Sequence, residues 1–302
     1  MNVFQSIILG LVQGLAEFLP ISSSGHLNIV RHFMGLDDIP LLFDIFLHVG
    51  TLCAVILFFR KKIWELLCVF GRMIIRRPAP SSVKENGRVL ELSKEEAVSR
   101  EKNSRFYILA IILTTFVTGV IGLFIEKIIG DVSQSFVCIG FIITAFLLVL
   151  SAVIEKIRNK KTALKGEEQK EGKLPSQMKP PSWFQALLIG LAQGIGTLPG
   201  ISRSGSTIAG SLLCGVDRKT AGEYSFIASI PAILGAFILE LKDLGQAASL
   251  ISIDCALAGF FAAFTSGYLA LTALMKLIRR GKLEWFAAYL IPAGILGLIF
   301  LH

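Results

Sequence analysis

The sequence predicts an all-α integral membrane protein with an inverted-topology repeat, each half one re-entrant helical hairpin plus three transmembrane helices. Three observations carry that expectation. The 302 residues are 53% hydrophobic, with a mean hydropathy of +0.68, too apolar for a soluble domain of this length. Continuous apolar runs recur at 41–59, 106–125, 136–154, 221–241, 251–275 and 285–301, and most reach the roughly 17–25 residues that cross a bilayer. Residues 9–25 (LGLVQGLAEFLPISSSG) return 180 positions later as residues 189–205 (IGLAQGIGTLPGISRSG), with eight of seventeen positions identical and no gap.

The runs do not alternate, so they read as helices rather than barrel strands. Basic loops orient them. Residues 60–105 hold twelve Lys/Arg, residues 156–179 eight and residues 276–282 four, together 24 of 30. The positive-inside bias places these three loops in the cytoplasm. The span 41–59 then runs inward, 106–125 outward and 136–154 inward; 221–241 runs outward, 251–275 inward and 285–301 outward. Residues 1–40 must begin and end outside, unless the first run crosses alone, and 184–220 must begin and end inside. Each has an apolar run, a break and a shorter apolar run, the pattern of a re-entrant hairpin. With three spans per half, the second half lies upside down relative to the first, a plan that gathers sites near the midplane. The first repeat is therefore expected over 1–155, a polar cytoplasmic linker over 156–183, and the second repeat over 184–302. Residues 63–75 suit a helix lying along the inner membrane face.

The net charge of +8 does not signal nucleic acid, because the basic residues are divided among loops and lack interleaved aromatics. Membrane lipids are expected partners, with attraction of the basic loops to anionic headgroups a secondary reading. The N-terminus has no basic segment before its apolar run, so no cleaved signal is expected. The five cysteines show neither disulfide nor zinc spacing.

Polar breaks at membrane depth are functional-site hypotheses, since unsatisfied backbone is tolerated there only around protein or a water-filled cavity. In the first break Gln13 and Glu17 share a helix face, and Pro20 ends that helix. Ser22, Ser23 and Ser24 precede Gly25 and His26, giving an N-cap and free amides suited to an anion. His26 in that first turn is a candidate base. In the second break Gly200 and Gly205 allow tight turns, and Ser202, Ser204 and Thr207 surround Arg203. The planar guanidinium of Arg203 matches phosphate oxygens, although an ion pair with Glu17 alone would also account for it. Asp44 and His48 lie at i and i+4 on an otherwise apolar span, as a supporting pair or a mutual packing contact.

These residues resemble the bacterial undecaprenyl-diphosphate phosphatases of the bacitracin-resistance type. The (E/Q)xxxE motif is matched by Gln13 to Glu17, the Ser-rich turn ending in His by Ser22 to His26, and PGxSRSxxT by Pro199 to Thr207. The resemblance covers nearly the whole chain. It implies removal of the terminal phosphate from undecaprenyl diphosphate, a divalent metal (Mg²⁺ or Ca²⁺), and a plasma-membrane site open to the outer face. It assigns Glu17 to metal or acid/base work, His26 to acid/base work and Arg203 to clamping phosphate. Gln13 carries no charge, so metal binding would rest more on Glu17. The nucleophile stays open among Ser23, His26 and water. A polyprenyl-phosphate flippase or other anion transporter is the competing expectation. The sequence leaves the oligomeric state open, a homodimer included.

Overall fold

A chain this apolar can satisfy its backbone inside lipid only as helices or a closed barrel, and its long apolar runs are helical in the computed structural model. The structure describes residues 1–36, 39, 41–80, 82–85, 88–91, 93–128, 133–164, 179–240 and 252–300. The order is α1 (Val3–Phe18), α2 (Ser23–Phe33), α3 (Leu41–Phe58), α4 (Arg60–Ile75), a hairpin of β1 (Ser82–Glu85) and β2 (Arg88–Glu91), α5 (Lys94–Ile128) and α6 (Gln134–Leu164). Then come α7 (Trp183–Ile195), α8 (Arg203–Leu213), α9 (Arg218–Glu240), α10 (Ile253–Arg280), a 3₁₀ turn (Leu283–Phe286) and α11 (Ala287–Phe300). Among the described residues, five helices are long and apolar enough to cross a membrane, or six if α3 with α4, bent by 81°, counts as one span. The protein is thus an all-helical, multi-pass membrane protein apart from the small hairpin. Its outward side chains suit lipid; Phe116 and Phe146 are 68% and 65% exposed.

Local sequence explains where the helices begin. Asn2 and Gln5 form a reciprocal capping box at α1, and Ser182 and Gln185 form another at α7. A third box, Ser93 with Glu96, starts α5, well before the apolar run at residue 106. The polar stretch after Lys94 is rich in helix formers, and its buried Glu101 pairs with Arg72 of α4 at 2.8 Å and with Arg105 at 3.3 Å. Residues 94–105 are therefore folded helix rather than loop. The α6 helix likewise runs on to Leu164, into the segment expected as linker; the rest of that segment, 165–178, lies outside the described residues. So do residues 241, 251 and 301 at the edges of expected spans.

Small residues set the packing of the two short apolar helices. The α1 helix lies against α10, and α7 lies against α5. A Cβ on Gly10 would meet Ala262 Cβ at 2.8 Å, and one on Gly14 would meet the Gly267 amide nitrogen at 2.7 Å. On the other pair, Gly190 faces the Thr114 carbonyl and Gly194 faces Ile121. Helices inside membranes gain van der Waals contact through such faces. Carbonyls on these faces are also capped: Thr118 donates to Gly190 at 3.2 Å and Thr114 to Ala186 at 2.9 Å. Gly14 lies less than one turn before Glu17, so its contact also sets the depth of that carboxylate. A Gly14→Ala variant should lose about 1–3 kcal/mol of stability through overpacking against backbone that has no room to move. Thermal unfolding in detergent checks this, and an unchanged melting temperature would contradict the tight seam.

Candidate active site

The two breaks meet tip to tip. Ser204 donates its hydroxyl to the Leu19 carbonyl at 3.4 Å. A Cβ on Gly205 would sit 3.1 Å from Pro20 Cβ. Helix α6 lies beneath both tips. Its Thr144 hydroxyl accepts from the Ser202 amide at 3.0 Å, and Gly140 leaves room for the backbone of Gly200. Gly200 has φ +85°, a conformation that favours glycine, and Val137 fills the space where a Cβ would stand. Phe141, one turn further along α6, fills the space beside Gly25.

At the meeting point lies one carboxylate. The Glu17 side chain is 4% exposed. Its Oε1 accepts from Arg203 Nη2 as an ion pair. Its Oε2 accepts from Ser23 Oγ at 2.6 Å and from Gln13 Nε2 at 3.1 Å. His48 Nε2 stands 3.9 Å from the same oxygen, too far for a direct hydrogen bond. Exposure rises from Glu17 at 4% to Arg203 at 23% and His48 at 39%. The carboxylate is therefore the floor of the site, and the guanidinium and imidazole lie nearer its opening.

Gln13, Glu17, Ser23 and Arg203 are thus brought together, with His48 at the edge. Ser22 and Ser202 are each almost fully buried and act as N-caps, accepting from the amides of Gly25 (3.4 Å) and Gly205 (3.1 Å). The first-turn amides of α2 and α8 have no intrahelical partner, and both helix starts lie beside Glu17. Ser24 is exposed, and its hydroxyl lies 3.4 Å from that of Ser22.

Three of the expected site positions make bonds that spacing alone does not predict. Thr207 is buried and donates to the Arg203 carbonyl at 2.6 Å, the ordinary back-bond of a helical threonine. The Asp44 carboxylate does not meet His48; it pairs with Arg31 of α2, while His48 Nδ1 donates to the Asp44 backbone carbonyl at 2.8 Å. That bond turns Nε2 toward Glu17. His26 joins neither Glu17 nor Arg203. Its Nδ1 donates to the Ser22 carbonyl at 2.8 Å, and its Nε2 accepts from Tyr289 Oη of α11 at 2.7 Å. Arg31, Phe141, Thr144 and Tyr289 escape sequence reasoning because each partner is distant in sequence or backbone only. The i, i+4 pair Gly140–Thr144 inside an apolar run was the one available signal.

Oxygen ligands for a hard cation are present in small number. The Gln13 Oε1 atom is buried without a hydrogen-bond partner, beside the Glu17 carboxylate. That donor set fits Mg²⁺ or Ca²⁺, and Mg²⁺ in particular keeps waters and substrate phosphates as its other ligands. Among the described residues no cluster of three His, Cys, Asp or Glu side chains could hold a metal.

Known proteins are similar to this chain along nearly its whole length. Residues 6–296 match the family described as "Bacitracin resistance protein BacA". An undecaprenyl-diphosphatase of Treponema denticola is 46% identical over 295 residues, covering 98% of this chain and 96% of the relative. One from Carboxydothermus hydrogenoformans is 39% identical over 306 residues, covering 99% and 97%. One from Methanosphaera stadtmanae is 38% identical over 299 residues, covering 99% and 98%.

Proposed function

The chain belongs to the bacitracin resistance protein BacA family, and from that membership we propose how this undecaprenyl-diphosphate phosphatase carries out its reaction. It is a membrane hydrolase that acts on the diphosphate of a polyprenyl lipid, the activity of its relatives, and so serves carrier-lipid recycling for the cell wall and bacitracin resistance. One observation carries the mechanistic reading: Ser23 and Arg203, from opposite hairpins, bond the two oxygens of one buried carboxylate.

A phosphoryl group arriving at the helix starts competes with Glu17 for the guanidinium, since both are anions. The Glu17 contact occupies Nη2 of the fork, and the planar group can present paired N–H donors to phosphoryl oxygens. As Arg203 turns to the terminal phosphate, Glu17 keeps Ser23. Ser23 Oγ then attacks the terminal phosphorus, and Glu17 takes its proton. The bond from that phosphorus to the bridging oxygen breaks, and undecaprenyl phosphate leaves with the electron pair. The Glu17 proton passes to the departing oxygen; water then gives a proton to the freed carboxylate and attacks the phosphoserine, and the Ser23 oxygen leaves with that proton as inorganic phosphate forms. Arg203 and the first-turn amides of α2 and α8 stabilise the spread charge of the transferring group. A divalent metal held by Glu17 and Gln13 Oε1 would neutralise further phosphoryl charge. Ser22, Ser24, Gly25, Ser202 and Ser204 shape this cradle through their caps and backbone.

The same reading keeps the inverted repeat and the two re-entrant hairpins. Supporting it, the capping boxes of α1 and α7, and the caps of α2 and α8, each stand 180 residues apart. Moreover α1 packs on α10 as α7 packs on α5, which is one relation with the halves exchanged. Basic segments at 60–105 and 276–282 favour placing those stretches in the cytoplasm, and the reading keeps a plasma-membrane site open to the outer face.

The test is phosphate release from farnesyl diphosphate by the purified protein in detergent, with and without chelator. Release that chelation abolishes is expected. An enzyme indifferent to chelator removes the metal from the scheme, and a protein that binds the lipid but releases no phosphate would be a carrier instead.

A further inference from the structure

We propose that Tyr289 is a positioning residue for phosphoryl transfer, acting through His26 on the backbone that presents Ser23. This rests on the reading above, in which Ser23 and Glu17 carry the reaction. The starting point is Ser22, with φ 72° and ψ 101°. That is the left-handed half of backbone space, which a residue bearing a Cβ occupies only when its surroundings hold it there. Helix capping does not require it. Ser202 occupies the equivalent position of α8, caps in the same way, and has an ordinary φ of −78°.

What distinguishes Ser22 is the imidazole one turn on. A carbonyl can only accept, so the ring hydrogen sits on His26 Nδ1, 2.8 Å from the Ser22 oxygen. The lone pair on Nε2 is then free to take the Tyr289 hydroxyl hydrogen at 2.7 Å. Rings lie beside the imidazole, with centroids 4.9 Å away for Phe141 and 5.7 Å for Tyr289. Both nitrogens are occupied, and rotating the ring would break both bonds at once. His26 is thus a strut from α11 to the strained carbonyl. Ser206, its counterpart in α8, has no imidazole, and there the chain starts its helix without strain.

The consequence falls on the next residue. Ser22 sets the direction in which Ser23 leaves the break, and Ser23 Oγ is 2.6 Å from Glu17 Oε2. With the strut loosened, Ser22 relaxes toward the extended form seen at Ser202, and Ser23 swings off its base. His26 itself serves as no base for Ser23, because its Nε2 faces α11.

Three variants of the full chain, assayed in detergent on farnesyl diphosphate with melting temperatures recorded, test the proposal. Tyr289→Phe keeps the ring and removes one hydrogen bond; kcat should fall about three- to tenfold with KM within about twofold. His26→Asn retains an N–H able to reach the Ser22 carbonyl but no group able to take a proton; turnover should stay within about tenfold of wild type. Adding Tyr289→Phe to His26→Asn should lower kcat by less than about twofold, because the strut it weakens is already gone. A wild-type kcat for Tyr289→Phe overturns the proposal. So does a loss of about a hundredfold or more for a folded His26→Asn, the scale of a missing acid or base. Ser23→Ala is the separate control: wild-type turnover there would overturn the underlying reading, whatever Tyr289 does.

Discussion

Replacing Arg203 with Lys should lower kcat/KM by about a hundredfold or more, although the charge is kept. Arg203 opens α8, and its Nη2 bonds Glu17 Oε1. A lysine ammonium can repeat that ion pair, so the resting site should survive and the fold with it. What it lacks is the planar pair of donors that grips two phosphoryl oxygens while Glu17 is released. The loss should therefore appear when phosphate enters, in both KM and kcat. Phosphate release over a range of farnesyl diphosphate concentrations measures it, and a melting temperature near wild type separates a lost clamp from a lost fold. Turnover within a few-fold of wild type would mean that only the charge matters and that Arg203 serves Glu17 rather than the substrate.

The Glu17→Gln variant should be worse still, with kcat lowered by about three orders of magnitude, the scale of a lost general base. The amide keeps nearly the same shape and can still accept from Ser23 or Gln13. It does not take the Ser23 proton. It also leaves Arg203 without its anion, only 23% exposed. Leaving a partly buried cation unpaired opposes folding, so the same protein should also unfold at lower temperature. Added substrate should restore part of that stability, because the phosphate supplies the missing negative charge. A Glu17→Gln enzyme within about tenfold of wild-type kcat would place the base elsewhere, and His48, 3.9 Å away, would be the next residue to vary.

These two variants probe residues that were legible before any coordinates. Glu17, Ser23 and Arg203 stand out because their breaks are copies of each other, and because polar groups inside an apolar run need a reason. The pairing of Arg203 with Glu17 was one of two readings of an arginine at that position; geometry shows that it occurs. Asp44 and His48 illustrate the limit. Their spacing correctly put them on one helix face, but spacing does not say that Arg31 claims the carboxylate or that His48 bonds the Asp44 backbone instead. Thr207 shows it again, since its place in the motif does not say that its hydroxyl bonds the Arg203 carbonyl of its own helix. The folded extension of α5 back to Lys94 was hidden because hydropathy marks where lipid begins, not where helix begins.

Composition and order of residues alone determined that this chain crosses a membrane as helices, where the two helices break, and which side chains stand at the breaks. Those properties follow from local backbone preference and from the thickness of lipid, which act within about 25 residues. Tertiary structure alone decided that the two breaks touch, that one carboxylate receives Ser23 and Arg203 on separate oxygens, and that His26 bonds Tyr289. Those contacts join residues as many as 263 apart. They depend on how closely glycine-lined helices approach one another, a distance that no stretch of sequence carries by itself.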